Sequence, residues 1–183
     1  ARGIFSQLTD ACAELGVSLV GGHTEITVDL GRPLAIGAML GEVAKDRVVL
    51  TSGARPGDAI IATKGFAIEG TAILAREAAD QLVSADVSAE VIERARRLLY
   101  SPGISVMKDA LTAHVAVSVH CMHDPTEGGL AGGLLEIATA ANVGIAIDRD
   151  RLPVLPECQA VCDALGLDPL GLIASGALLA TVA

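Results

Sequence analysis

The sequence predicts an α/β protein, layered as a mixed sheet with flanking helices, and three observations carry that prediction. From residue 58 onwards, strand-like apolar runs alternate with runs whose apolar residues recur at helical spacing. Hydrophobic residues make up 51% of the 183 and charged ones 19%, which supplies a substantial core and argues against disorder. A strand pattern at 115–119 leads into His123-Asp124-Pro125-Thr126-Glu127-Gly128-Gly129-Leu130-Ala131-Gly132-Gly133. Strand, glycine-rich turn and helix start thus arrive in the order that phosphate sites use.

The elements follow in sequence. Ile4, Leu8, Ala11 and Leu15 mark one face of a helix that Gly16 closes. Residues 17–20 read as a strand entering Gly21-Gly22-His23-Thr24-Glu25, and 34–43 and 48–50 read as further strands. Ala54-Arg55-Pro56-Gly57-Asp58 is the clearest break in the chain. Beyond it come a strand over 58–63, an Ala-rich helix over 70–79 and a helix capped by Ser88. A third helix opens at Ser101-Pro102. After the glycine-rich stretch the pattern gives a strand at 144–147, a helix from Pro156 to Gly166 and a last strand over 176–182.

In the glycine-rich stretch Asp124 suits an N-cap, Pro125 the first helical position and Glu127 the third. Glycines without side chains let a ligand approach backbone N–H groups at the positive end of the helix. The same glycines also fit a tightly packed helix crossing, and Glu127 would repel an anion. Leu130, Leu134, Ile137 and Ala141 give the helix its inner face.

Composition excludes several functions. A net charge of -9 and 2% aromatic residues leave neither a basic surface nor stacking platforms for nucleic acid. No apolar run reaches the ~18 residues that span a bilayer. Cys12, Cys121, Cys158 and Cys162 have no C-x-x-C spacing and read as reduced, buried apolar residues. His120, Cys121 and His123 lack a second ligand pair, so zinc is not expected there. His123 is instead a candidate orienting or acid/base group. Neither a Gly-x-Ser-x-Gly elbow nor a Walker A pattern occurs. Lys64 follows a strand in a loop, a place where a lysine meets either phosphate or solvent.

Asp124-Pro125-Thr126-Glu127-Gly128-Gly129-Leu130 resembles the DPTRGGL signature of HypE-type hydrogenase maturation proteins, within the ATP-binding superfamily related to aminoimidazole ribonucleotide synthetase. Val143-Gly144-Ile145-Ala146-Ile147-Asp148, Leu152-Pro153-Val154 and Leu165-Gly166-Leu167-Asp168-Pro169-Leu170 follow in that family's order, and Arg55-Pro56-Gly57-Asp58 and Glu69-Gly70 also fit. Two positions depart from it. His23 stands where HypE-type and thiamine-phosphate-kinase-type relatives place an Asp, whereas selenophosphate-synthetase-like members resemble the Gly-Gly-His found here, and Glu127 replaces an Arg.

The resemblance implies a carboxy-terminal domain of the aminoimidazole ribonucleotide synthetase type over 54–183, truncated, and the end of an amino-terminal ATP-binding domain over 1–53. It implies ATP and Mg2+ as cofactors, dimerisation, and transfer of the γ-phosphate to a carbonyl or amide oxygen. HypE-like carbamoyl dehydration is the expected activity. Thiamine-phosphate-kinase-like and selenophosphate-synthetase-like chemistry are the enzymatic alternatives, and an interaction module is the non-catalytic one. The expected catalytic residues are His123 and Asp124, with Thr126, Gly128, Gly129 and Lys64 on substrate or phosphate. Gly22, His23 and Thr24 are the expected nucleotide-binding residues, and Glu25 is the better Mg2+ ligand because Mg2+ prefers oxygen. The expected partners are a nucleotide, a small-molecule or protein-thiol substrate and a second copy of the chain, in the cytoplasm. The full-length protein is then an ATP-dependent enzyme, and these 183 residues alone are inactive.

Overall fold

The computed structural model describes residues 2–183, in two compact units, one ending at Asp46 and the other spanning Arg47–Ala183. In the first, helix α1 covers Arg2–Glu14 and closes at Gly16, with the Val17 N–H returning to the Cys12 carbonyl at 2.8 Å. Residues 17–20 and 34–43 form no ladder, contrary to the sequence pattern, and Val20, Ile36 and Leu40 stand exposed. Apolar, β-branched runs favour extended backbone, but a strand also needs a hydrogen-bonded neighbour. Among the described residues these runs have none.

The second unit is built on a three-stranded sheet in the order β1-β3-β2. Strand β1 is Ala59–Ala62, β2 is Val119–His123 and β3 is Leu179–Val182. Both pairings are antiparallel, with Ile60 opposite Thr181 and Met122 opposite Ala180. Among the described residues, parallel pairing is confined to an isolated bridge between Phe66 and Val154. The last strand in the chain is therefore the central one, and the sheet forms only when both ends of this unit come together.

Helices α2 (Ile68–Glu77), α3 (Ala79–Ser84), α4 (Ala89–Arg97) and α7 (Pro156–Leu165) share a core of Ala75, Leu82, Ile92, Ala95 and Val161. Helix α6 (Gly129–Ala141) lays Leu130 and Ile137 against Phe66, Cys121 and Leu179. Burying side chains of this size is worth ~1.5–3 kcal/mol each. Ser88 caps α4 by accepting the Val91 N–H at 3.3 Å, and α7 starts on Pro156 and ends on Gly166, as expected.

Three expected elements move. Val115 and Ala116 end helix α5 (Met107–Ala116), so the strand begins at Val119. The apolar run is shared between two elements, and its β-branched residues do not mark where one stops. Ser101-Pro102 does not open that helix, because Ser101 is extended (φ -145°, ψ 110°) and the pair lies in an irregular turn over Leu99–Gly103, ahead of the helix start at Met107. Residues 144–147 form no strand, although Val143 and Ile145 pack on the core beside Ile60 and Ala62.

Candidate functional site

Strand β2 delivers His123 and Asp124 to the glycine-rich turn. The turn closes with the Gly129 N–H donating to the Thr126 carbonyl at 3.2 Å, and Gly128 and Gly129 take φ of +75° and +62°. Two successive left-handed residues interrupt any right-handed helix running from Asp124, so α6 opens on the second of them, Gly129, rather than just after Asp124. Asp124 is thus no N-cap and Pro125 is not at the first helical position. The Asp124 side chain is exposed, and its main-chain carbonyl receives the Thr126 hydroxyl at 3.4 Å.

The two glycines differ in role. A Cβ on Gly129 would sit 2.5 Å from the Leu172 carbonyl oxygen and 2.6 Å from that of Leu170. With its N–H engaged and its surface against backbone, Gly129 serves packing, which corrects its reading as a phosphate-binding residue. Gly128 is exposed and meets only Gly132. The Ala131 N–H donates to Leu170 at 3.0 Å and that of Gly132 to Gly128 at 2.9 Å. Among the described residues the N–H groups of Thr126, Glu127, Gly128 and Leu130 have no protein acceptor. Together with the helix terminus they form an anion-receptive edge.

His123 lies beside this edge, with Nε2 at 2.6 Å from Glu136 Oε2. Its ring rests where Gly133 leaves α6 bare, since a Cβ there would be 3.3 Å from His123 Cδ2 and 2.6 Å from Pro125 Cβ. Sequence reasoning missed Glu136. The signal lay in helical spacing, because Glu136 follows Gly133 by three residues and shares its face.

Lys64 does not face a ligand. Its Nζ donates to the carbonyls of Ser105 at 2.7 Å and Gly103 at 3.3 Å, and pairs with Asp109 at 3.3 Å. All three ammonium donors are taken, which corrects the phosphate reading and the solvated one alike. In the first unit Gly22, His23, Thr24 and Glu25 are exposed, and His23 Nε2 lies 3.9 Å from Glu25 Oε2. Their side chains therefore share a side of the chain. A single carboxylate fits the way Mg2+ is held by one or two carboxylates plus phosphates, and an imidazole suits it less. No cluster of three or more His, Cys, Asp or Glu that could hold a metal occurs among the described residues.

A second polar group was not foreseen. His120 Nδ1 meets the Asp58 carboxylate at 2.9 and 3.0 Å, and the Arg55 N–H donates to Asp58 at 2.9 Å. Burial pushes the Asp58 carboxyl up, but the Arg55 N–H and His120 outweigh it and hold it below its ordinary value. The Thr181 hydroxyl is near enough to Asp58 to add to this effect without reaching hydrogen-bond geometry. Beside them a cavity of about 610 Å3 is lined by Ile60, Phe66, Leu134, Ile145 and Leu152. His120, Cys121 and His123 have separate surroundings: Asp58, the core and Glu136. Burial pushes the Cys121 and Cys158 thiols up and raises Cys162 to about 12, so none is a ready nucleophile.

Residues 55–183 match the family described as AIR synthase related protein, C-terminal domain. The chain belongs to this family. Carbamoyl dehydratase HypE of Cupriavidus necator is 33% identical over 98% of this AIR synthase-related chain and 48% of its own length. Selenide, water dikinase of Geobacter sp. strain M21 is 34% identical over 89% of this chain and 43% of its own. A crystal structure of hydrogenase maturation protein HypE in complex with ATP has 28% identity and a TM-score of 0.54, covering 78% of this chain and 39% of that one. The chain spans about half the length of the curated relatives it matches. Its α/β class is that of the AIR synthase-related fold. No helix among the described residues is long and apolar enough to cross a membrane.

Proposed function

We propose that this chain is part of a HypE-like, ATP-dependent enzyme that dehydrates a carbamoyl or amide group in hydrogenase maturation. The observation that carries the reading is the row of unengaged N–H groups at Thr126, Glu127, Gly128 and Leu130 beside a clamped histidine. Likeness to a carbamoyl dehydratase over nearly the whole chain supports a carbamoyl group as the substrate class. The N–H groups bind a phosphate, and close approach is open because Gly128 has no side chain. Transfer of the γ-phosphate to the carbamoyl oxygen turns that oxygen into a leaving group. The nitrogen loses its protons, the C–O bond breaks, and the products are a nitrile-type carbon, ADP and inorganic phosphate.

His123 accepts a nitrogen proton, and the exposed Asp124 carboxylate helps to place the amide. Residues 1–53 belong to an amino-terminal ATP-binding domain and 54–183 to the carboxy-terminal one, supported by a family match that starts at 55. Gly22, His23 and Thr24 hold nucleotide, and Glu25 offers one oxygen to Mg2+, which would neutralise phosphate charge when bound. The full-length enzyme works in the cytoplasm as a homodimer on a protein-thiol or small-molecule carbamoyl substrate.

Full-length protein given ATP and a carbamoylated thiol should release phosphate and form thiocyanate, and Gly128→Val should abolish both while the fold persists. Unchanged turnover in that variant would remove the loop from the mechanism. The 34% identity to selenide, water dikinase favours a second reading, transfer to selenide. Phosphate release that needs selenide and ignores the carbamoyl group would select it.

A further inference from the structure

We infer that Glu136 is the positioning residue that fixes the tautomer and orientation of His123. The inference rests on the reading that His123 accepts a proton. Glu136 Oε2 lies 2.6 Å from His123 Nε2, the short distance of a charge-assisted bond. An ionised carboxylate only accepts, so Nε2 must carry the hydrogen. In a neutral ring the lone pair is then on Nδ1, which has no protein partner among the described residues. Carboxylates orient imidazoles in this way at other sites, where the partner on one nitrogen decides which proton the other can take.

Orientation has a second source in the same helix. Gly133 provides the bare surface that lets the ring and Pro125 lie against α6, because a Cβ there would be 2.6 Å from Pro125 Cβ. Gly133 and Glu136 are one helical turn apart, so a single face supports the ring from below and holds it from the side. Helix α6 also begins at the glycine-rich turn. One rigid element thus carries both the anion edge and the clamp on the base, which keeps proton acceptor and phosphate in fixed relation.

The Glu136 side chain is 59% exposed, so replacing it disturbs no core. Ring 15N NMR of histidine-labelled protein reads the tautomer directly. The unsubstituted protein should show His123 with its proton on Nε2 alone. Glu136→Gln keeps an acceptor and should retain that state. Glu136→Lys presents a donor and should move the proton to Nδ1, and in the full-length enzyme kcat should fall about 10²-fold or more with KM little changed. A His123 signal indifferent to Glu136→Lys, in protein whose urea midpoint is unchanged, overturns the inference. A tautomer that moves while turnover does not would uphold the clamp and instead remove His123 from the proposed chemistry.

Discussion

Asp58 shows how one carboxylate can tie loop to sheet. It accepts the Arg55 N–H within its own turn and faces His120 on β2 across the sheet. These bonds outweigh partial burial and hold its carboxyl below the ordinary 3.8. A depressed folded-state value means stability present above the unfolded pKa and lost as pH falls through the lower folded one. Acid titration of stability should therefore show a loss below about pH 4 that Asp58→Asn removes, with lower stability at neutral pH. An identical acid limb in the variant would show that the pair does not act this way. The glycines of the loop separate at the same scale. Gly129→Ala combines positive φ with backbone carbonyls at 2.5 and 2.6 Å and should cost ~2–4 kcal/mol by urea unfolding. Gly128→Ala, exposed and facing only Gly132, should cost about 1 kcal/mol. Equal losses at the two sites would contradict the division into packing and ligand-facing glycines.

At the scale of elements, Lys64 joins the end of β1 to the turn before α5. Its ammonium takes two carbonyls and Asp109, with 15% of the side chain exposed. Lys64→Met should leave these acceptors without a donor, cost ~1–3 kcal/mol and speed amide exchange at residues 103–109. Loss of phosphate binding with no loss of stability would restore the lysine to the ligand site. Sequence reasoning placed the capped and closed helices well, because Ser88, Pro156, Gly16 and Gly166 act within one turn of themselves. It misplaced the start of β2 and the opening of α6. At β2 an unbroken apolar run hides the boundary, and at α6 the left-handed pair Gly128-Gly129 overrides an N-cap pattern that local rules favour.

For the whole molecule, strand patterns at 17–20, 34–43 and 144–147 specify apolar extended chain but not a partner, and pairing is not a local property. The glycine loop was legible because residue order alone gives strand, turn and helix. The Asp58–His120 and His123–Glu136 pairs were not, since the first joins residues 62 apart and the second crosses from strand to helix. The 183 residues alone should bind Mg-ATP more weakly than micromolar by calorimetry, because a helix terminus contributes only ~0.3–2 kcal/mol. Micromolar affinity would mean that this chain holds a complete nucleotide site.

The most direct test of the loop as the phosphate site is amide 15N NMR of the full-length protein titrated with inorganic phosphate. Saturable shifts should concentrate at Thr126, Glu127, Gly128 and Leu130, which have no protein acceptors among the described residues, and vanish in Gly128→Val. Phosphate-dependent shifts elsewhere, with these four amides unmoved, would contradict the account.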